Sequence, residues 1–258
     1  MERITDFFSR RLALPNFSRL RISGPGKKSV VGIAIGVAVF AALYYPIGMM
    51  MIHGVNDDIN YSPPAAEVPK GASFSVAATA GLIGREVETA RWTANDPWFL
   101  PGAALDNMPN FQQGVISALA RFAFELTDQI GRTRGSSQTD TDLQEAAGLL
   151  QYSGTKWVFD FSTSLAPTAT SEAQYLKAQR SLLSFNKRLA SGDAVFDRRA
   201  DNLMATLDRM ALDLGSSSAA LDSHIATHGG SVFDFQADDL YYNVKGQLYG
   251  YTILLREI

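Results

Sequence analysis

The 258-residue chain carries 23 basic and 26 acidic residues, for a formal net charge of −3, and it contains no cysteine. The missing thiols exclude disulfides, iron–sulfur clusters, cysteine nucleophiles and thiolate-bound zinc. Its 46% apolar and 10% aromatic content is that of a folded protein rather than a disordered one. No residue pattern indicates a bound cofactor, and we predict none.

The first 28 residues form a short basic segment. They contain seven basic and two acidic residues, whereas the rest of the chain holds 16 basic and 24 acidic ones. Basic flanks of a membrane helix stay in the cytoplasm. We therefore predict a cytoplasmic tail over residues 1–28, which either lies on anionic membrane lipid or is disordered and only sets the topology.

An uncharged apolar stretch follows over residues 29–52. As a helix it would reach about 36 Å, enough to cross a hydrocarbon core of about 30 Å. Tyr44 and Tyr45 would lie near one membrane interface, where amphipathic rings are favoured. The run is longer than that of a cleaved signal peptide and lacks a small-residue cleavage site. We predict an uncleaved anchor in a bacterial inner membrane, with the later residues in the periplasm.

Two glycines in this stretch, Gly32 and Gly36, form a G-x-x-x-G pattern. Such small-residue rows let two membrane helices approach closely, which predicts a homodimer through this helix. The alternative is that small residues are simply common in membrane helices.

A proline- and aromatic-rich stretch covers residues 92–110, after a predicted linker over residues 53–91 in which Ala72 to Val87 could form a weak helix. Its prolines forbid a continuous helix, so we expect an irregular loop. Trp92, Trp98 and Phe99 would either line a concave binding site or fill the core of the domain itself.

The remaining chain, to residue 258, predicts an all-α extracytoplasmic bundle of five to six helices. Apolar residues recur at helical spacing over residues 110–134, 141–150, 171–190, 196–214, 218–228 and from Asp238 onward. Asn110 is the expected N-cap of the first helix and Gly192 the expected end of the third. A capping box at Ser171 opens that third helix. The fourth helix carries a heptad seam of Phe196, Ala200, Leu203, Leu207, Met210 and Leu214.

Three further features of these helices are predicted. Gly215 and the following serines predict a break between residues 196–214 and residues 218–228. Residues 157–161 form at most one short edge strand. The last helix is expected to bury a stripe of Leu240, Val244, Leu248, Tyr251 and Leu255. Its periodicity still holds at Ile258, so either this helix is terminal or a further segment follows.

Carboxylates beside aromatic residues are the first candidates for chemistry. Asp96 lies near Trp98, and Asp160 lies near Trp157. A carboxyl group in an apolar pocket can have a raised pKa and act as a general acid. These residues would suit a hydrolase acting on cell-wall or lipid material. An aspartate at a turn is more often a cap.

Two other groups could bind ions. Arg132 and Arg134, in the sequence GRTRGSS, could hold an anion or simply complement a helix C-terminus. His224 and His228 have the i, i+4 spacing of metal ligands, with Asp222, Asp234 or Asp238 as a possible third ligand. They lack the glutamate of H-E-x-x-H, and the alternative is two exposed histidines near a helix end.

Several activities have no support in the sequence. There is no G-x-S-x-G nucleophile motif and no phosphate-binding G-x-x-x-x-G-K-[ST] motif. The acidic domain makes nucleic acid an unexpected partner.

Four segments resemble one known family. They are NDPWFLPGAALDNMPNFQQG, LTDQIGRTRGSSQTDTDLQEAAGLL, WVFDFSTSLAPTATSEAQY and RRADNLMATLDRMALDLGSSSAALD. The family is that of proteobacterial membrane-anchored proteins catalogued as domain of unknown function 2333. The resemblance implies an inner-membrane protein with a periplasmic domain that continues with further helix. It supplies no catalytic residues.

These observations predict a non-enzymatic envelope scaffold that binds another envelope protein. The alternative is an envelope hydrolase using a carboxylate beside a tryptophan. A deep pocket with a buried aspartate next to a tryptophan would favour the enzyme. An exposed apolar stripe on a helix, without such a pocket, would favour the binding protein.

Overall fold

A computed structural model describes residues 26–133, 139–160, 166–196, 200–228 and 234–258. The chain separates into a first unit, Met1–Leu43, and a second unit, Tyr44–Ile258. Within the described residues the chain forms α-helices and no β-strand, which confirms the predicted all-α class. The helices are α1 (Lys27–Ile52), α2 (Phe74–Gly84), α3 (Asn107–Thr133), α4 (Thr141–Leu150), α5 (Ser171–Ser191), α6 (Ala200–His228) and α7 (Phe235–Arg256).

Helix α1 is apolar on every side. Ile33, Val37 and Phe40 are all exposed over more than half of their surface. Among the described helices, α1 is the one that is long and apolar enough to cross a membrane. A helix that is hydrophobic all round is found either in a protein interior or in lipid.

The second unit has one core, centred on α3. This helix packs most extensively against α7 and also contacts α4, while α5 packs against α2 and α4. The predicted α3 stripe of Phe111, Val115, Leu119, Phe122 and Leu126 is buried. The side chain of Ile130, its predicted last member, lies outside the described residues.

The α3–α7 contact depends on glycines. A β-carbon at Gly114 would lie 2.0 Å from the carbonyl oxygen of Asn243, and one at Gly250 would lie 2.9 Å from the β-carbon of Ala118. Only glycine permits so close an approach of two helix backbones. These positions therefore determine how closely α7 packs against α3.

Helix α2 and a π-helical turn at Arg85–Thr89 belong to this core, and they lie where the predicted linker allowed a weak helix over Ala72 to Val87. Ser73 caps α2, its hydroxyl accepting a hydrogen bond from the backbone N–H of Val76. Leu82 and Ile83 are fully buried. The small residues Ala78, Thr79 and Ala80 of α2 are also buried, which lets the helix pack closely.

The helix ends partly match the predictions. Gly192 ends α5 in the left-handed conformation with φ of 83°, which confirms the expected C-terminus. The N-cap of α5 is Thr170 rather than Ser171, whose hydroxyl instead donates to the Ser153 carbonyl at 2.7 Å. The expected N-cap at Asn110 is wrong. Helix α3 begins at Asn107 and carries Pro109 in its first turn, where a missing N–H does little harm.

Two predictions on the C-terminal helices are wrong. Residues 200–228 form one continuous helix, because Gly215 and its neighbouring serines remain helical. In the predicted stripe of α7, Tyr251 is buried as expected, but Leu248 and Leu255 are exposed, and Ile253 and Leu254 are buried instead. The glycines of α7 explain this rotation, because they bring a different side of the helix against α3.

Candidate functional site: the apolar side of α6

Helix α6 contacts the rest of the domain with a mostly polar side. Its buried residues are Thr206, Met210 and His224. The predicted seam shares Met210 with this side, but Leu203 is 39% exposed, and Leu207 and Leu214 are only half-buried. At 3.6 residues per turn the seam is rotated by about 75° from the buried side. The seam therefore lies at the border of the buried side: Met210 and Leu214 contact the core, whereas Leu203 is exposed.

We call Leu203, Leu207, Leu214 and Ile225 the α6 stripe. They recur at spacings that place them on one side of the helix. Ile225, at the far end, is 60% exposed. Exposed Asp222, three residues before Ile225, lies beside the stripe.

A polar network holds α6 in this rotation. The Asp213 carboxylate accepts hydrogen bonds from Arg121 of α3, at 2.9 and 3.2 Å, and from the Tyr251 hydroxyl of α7, at 2.7 Å. Ser217 donates to Gln247 at 2.9 Å. Burial and the adjacent Asp213 carboxylate raise the pKa of Tyr251 well above its usual range, so it stays a hydrogen-bond donor.

The C-terminal end of α6 is attached to α7 through a histidine. Nε2 of His224 lies 2.7 and 2.8 Å from the two carboxylate oxygens of Asp234, which also caps α7 at the N–H of Ala237. Burial acts to raise the pKa of Asp234, but the hydrogen bonds from His224 and Ala237 lower it below its usual value. The ring of His228 stacks on that of His224 at 4.6 Å.

This arrangement brings together the predicted metal ligands His224 and His228 and one candidate for the third ligand, Asp234. His224 is buried, so the alternative of two exposed histidines is wrong for that residue. Nothing in the described ranges forms a group of three histidine or carboxylate side chains able to hold a metal ion. Asp234 takes the role of cap and histidine partner instead.

A groove of about 660 Å³ lies between α3, the end of α4, α6 and α7. Its lining includes Gln113, Ser117, Arg121, Tyr152, Asp213 and Gln247. The carboxylate in it, Asp213, is already engaged by Arg121 and Tyr251. The lining contains no tryptophan, so this groove lacks the pairing expected of the hydrolase.

The predicted aromatic residues are divided between two places. Trp92 is 1% exposed, donates its indole N–H to the Gly154 carbonyl at 2.8 Å and packs edge-on against Tyr175. It fills the core. Trp98, Phe99 and Trp157 instead form a surface chain of edge-on contacts that continues to Phe159, with ring centroids 5.7, 5.7 and 5.8 Å apart.

The predicted carboxylates are held in ion pairs beside this aromatic chain. Asp96 binds the Arg91 guanidinium at 3.0 and 3.1 Å, and burial raises the pKa of Asp96 despite that partner. Asp160 pairs with Lys156, four residues earlier. Neither aspartate lines the groove described above.

Two further predicted sites have no structural description. Arg134 and the side chain of Arg132 lie outside the described residues, so the anion site stays a prediction. Gly32 and Gly36 lie on α1 with open space around them, which leaves helix dimerisation a prediction as well.

Sequence patterns missed two features of the domain. The rotation of α6 depends on Arg121 and Tyr251, which are distant in sequence and on other helices. Phe159 joins the aromatic chain through Trp157, two positions before it. The alternation of Trp157 and Phe159 was a usable signal for the second feature.

Comparison with known proteins identifies a family. The family model described as "Uncharacterized protein conserved in bacteria (DUF2333)" matches residues 75–237. No curated protein and no solved structure matches the chain. The matched range includes α6 in full and ends just inside α7.

Proposed function

The chain belongs to the bacterial DUF2333 family of uncharacterised proteins, and from this premise we propose that it is a membrane-anchored protein that binds a partner protein through the α6 stripe. In this proposal α1 crosses the inner membrane once, with the N-terminus in the cytoplasm and the helical domain in the periplasm. The domain acts as a non-enzymatic scaffold.

One observation carries the proposal: α6 buries Thr206, Met210 and His224 and leaves Leu203 and Ile225 exposed along one side. Leu203, Leu207 and Leu214 follow a heptad spacing that would normally be buried between helices, yet Leu207 and Leu214 are only half-buried. Exposed apolar surface on a helix is typical of protein interaction sites.

The partner best suited to the stripe is an amphipathic helix of another envelope protein. Seams of 3.5-residue period pack against a second helix by side-chain interdigitation. Asp222, exposed beside the stripe, favours a partner helix with a basic residue along its edge.

Photocrosslinking from single positions tests the partner proposal. A photoreactive residue at Leu203 or Leu207 should yield a crosslinked adduct of one defined mass in intact cells. Leu212 is the matched control, since it is 63% exposed and lies on the opposite side of α6. Equal adducts from Leu207 and Leu212, or none from the stripe, would contradict the proposal.

The topology is supported by the basic residues before α1 and the acidic excess after it. Because the chain has no cysteine, single substitutions report on it cleanly. A membrane-impermeant maleimide should label Ala211→Cys, on exposed α6, when only the outer membrane is permeabilised. It should label Ser18→Cys only after the inner membrane is opened, and the reverse pattern would refute this topology.

A further inference from the structure

We propose that Trp98 and Phe99 lie in the outer headgroup region of the membrane that α1 crosses, forming a second attachment of the domain to the lipid surface. This inference rests on the membrane anchoring in the proposed function. It assigns a lipid-binding role to the aromatic loop, distinct from the partner-binding role of α6.

The loop is attached to the last turns of α1 by hydrogen bonds. The Tyr44 hydroxyl donates to the Phe99 carbonyl at 3.1 Å, and the Tyr45 hydroxyl donates to the Trp98 carbonyl. One turn further along, Gly48 is so close to Pro101 that a β-carbon at Gly48 would lie 2.3 Å from the proline Cγ. These contacts hold the loop at the level of the two tyrosines.

That level is where a membrane-spanning helix meets the headgroups. Tyrosine and tryptophan are enriched at this depth, because each has an apolar ring and a polar group that stays hydrated. The loop therefore adds Trp98 to an interfacial aromatic belt that Tyr44 and Tyr45 begin. Met50 and Met51, in the last turn of α1, add exposed apolar surface close by in sequence.

The aromatic side chains point outward instead of filling the core. Trp98 is 80% exposed and Phe99 is 44% exposed, unlike the buried Trp92. Edge-on packing onto Trp157 and then Phe159 supports the loop from the domain side. The surface is thus held in place before any lipid binds, which reduces the entropy lost on binding.

Apolar contact, not charge, would drive this binding. The charged groups beside the aromatic chain are already paired, Asp96 with Arg91 and Lys156 with Asp160. Screening by salt weakens attraction between exposed charges but leaves apolar contact largely intact. We therefore expect the loop to bind zwitterionic lipid as well as anionic lipid, with little dependence on ionic strength.

Tryptophan fluorescence of the full chain in lipid nanodiscs tests the inference. The probe is phosphatidylcholine carrying a nitroxide quencher near the headgroup or deep in the acyl chain. Trp98→Phe is compared with the unaltered chain, and the difference isolates the Trp98 signal. We expect the shallow quencher to act more strongly than the deep one, and Trp98→Phe to remove the larger part of that quenching. Buried Trp92, present in both samples, is the internal control.

Three outcomes would overturn the inference. Quenching of Trp98 by aqueous iodide, with no response to the lipid quenchers, would place the loop in water. Protection from both quenchers would indicate a protein contact instead, such as a second copy. Release of the chain from membranes by alkaline carbonate would refute the anchoring itself and the lipid contact with it. In a carbonate-resistant sample, the first two results refute the loop inference alone.

Discussion

Gly246 of α7 lies so close to Phe111 of α3 that a β-carbon at Gly246 would be 2.1 Å from the Phe111 carbonyl oxygen. Gly114 makes the reciprocal approach to α7. Helices α3 and α7 thus meet through close backbone approach at the glycines, beside the ring contact of Phe111 with Tyr249. Because α7 also carries Tyr251 of the Asp213 network, this contact contributes to the placement of α6.

Gly246→Ala should lower the free energy of unfolding by about 3 kcal/mol, because the methyl group must displace backbone rather than a flexible side chain. Gly215→Ala, in the middle of α6 with open space around it, should instead raise stability by up to about 1 kcal/mol. Urea unfolding in detergent measures both. Similar effects from the two substitutions would show that the α3–α7 approach is not constrained.

A buried ion pair in the π-helical turn predicts a strong effect of Arg85. Its guanidinium contacts Glu86 at 2.6 and 2.9 Å and donates to the Tyr249 hydroxyl at 2.6 Å. Arg85→Met should cost about 3–5 kcal/mol at neutral pH, because it leaves the Glu86 charge buried and unpaired. Glu86→Gln should cost less, since the amide can still accept a hydrogen bond from Arg85.

The pH dependence of Arg85→Met gives a second test of this pair. Burial raises the pKa of Glu86 even with Arg85 present, so the stability that its protonated form contributes is lost as the pH rises through the folded pKa. Without Arg85 that pKa rises further. The loss in free energy of unfolding caused by Arg85→Met should therefore become smaller as the pH falls toward the ordinary glutamate pKa of 4.5. A deficit independent of pH would contradict the ionised state of Glu86.

Arg188 joins α5 to the start of α4 and should make the domain acid-sensitive. It binds the N-cap Asp140 through two hydrogen bonds of 2.8 Å and also binds Asp142. Burial opposes ionisation of Asp140, but the Arg188 and backbone hydrogen bonds lower its pKa below 3.8. The stability from Asp140 is therefore present above pH 3.8 and is lost as the pH falls through the folded pKa.

Arg188→Gln should lower stability by about 1 kcal/mol at neutral pH, and the difference from the unaltered chain should narrow below pH 3.8. Lys177→Gln is the control, because its pair with Glu145 is more exposed and should contribute less. Thermal unfolding followed by circular dichroism across this pH range measures both variants. A constant difference at all pH values would rule out the Asp140 linkage.

The His224–Asp234 contact predicts how the domain responds to zinc. Asp234→Ala should lower the melting temperature, because α7 loses its N-cap and His224 loses its partner. Equimolar zinc should leave the melting temperature of the unaltered chain unchanged, since Asp234 already occupies Nε2 of His224. A zinc-dependent rise that His224→Ala abolishes would instead establish a metal site.

Sequence patterns predicted the structure correctly where a single residue or a single helix determines it. Gly192 ends α5 in the left-handed conformation that only glycine adopts without strain, and the α3 stripe is buried as its spacing predicts. Patterns failed at α6 and α7. The heptad spacing of α6 predicts a buried seam, but the hydrogen bonds of Asp213 and Ser217 turn a polar side inward. Gly215 predicts a break, yet an isolated glycine costs a long helix only about 1 kcal/mol.

The amino-acid sequence by itself determined the all-α class, the apolar helix before the domain and the family to which the chain belongs. Each follows from periodicity, length or motif within a single segment. Only the tertiary structure decided which tryptophan is buried, which side of α6 is exposed and which residues hold the aromatic loop at Tyr44 and Tyr45. These outcomes depend on contacts between residues distant in sequence, and a helical period shows that a face is apolar without showing what covers it.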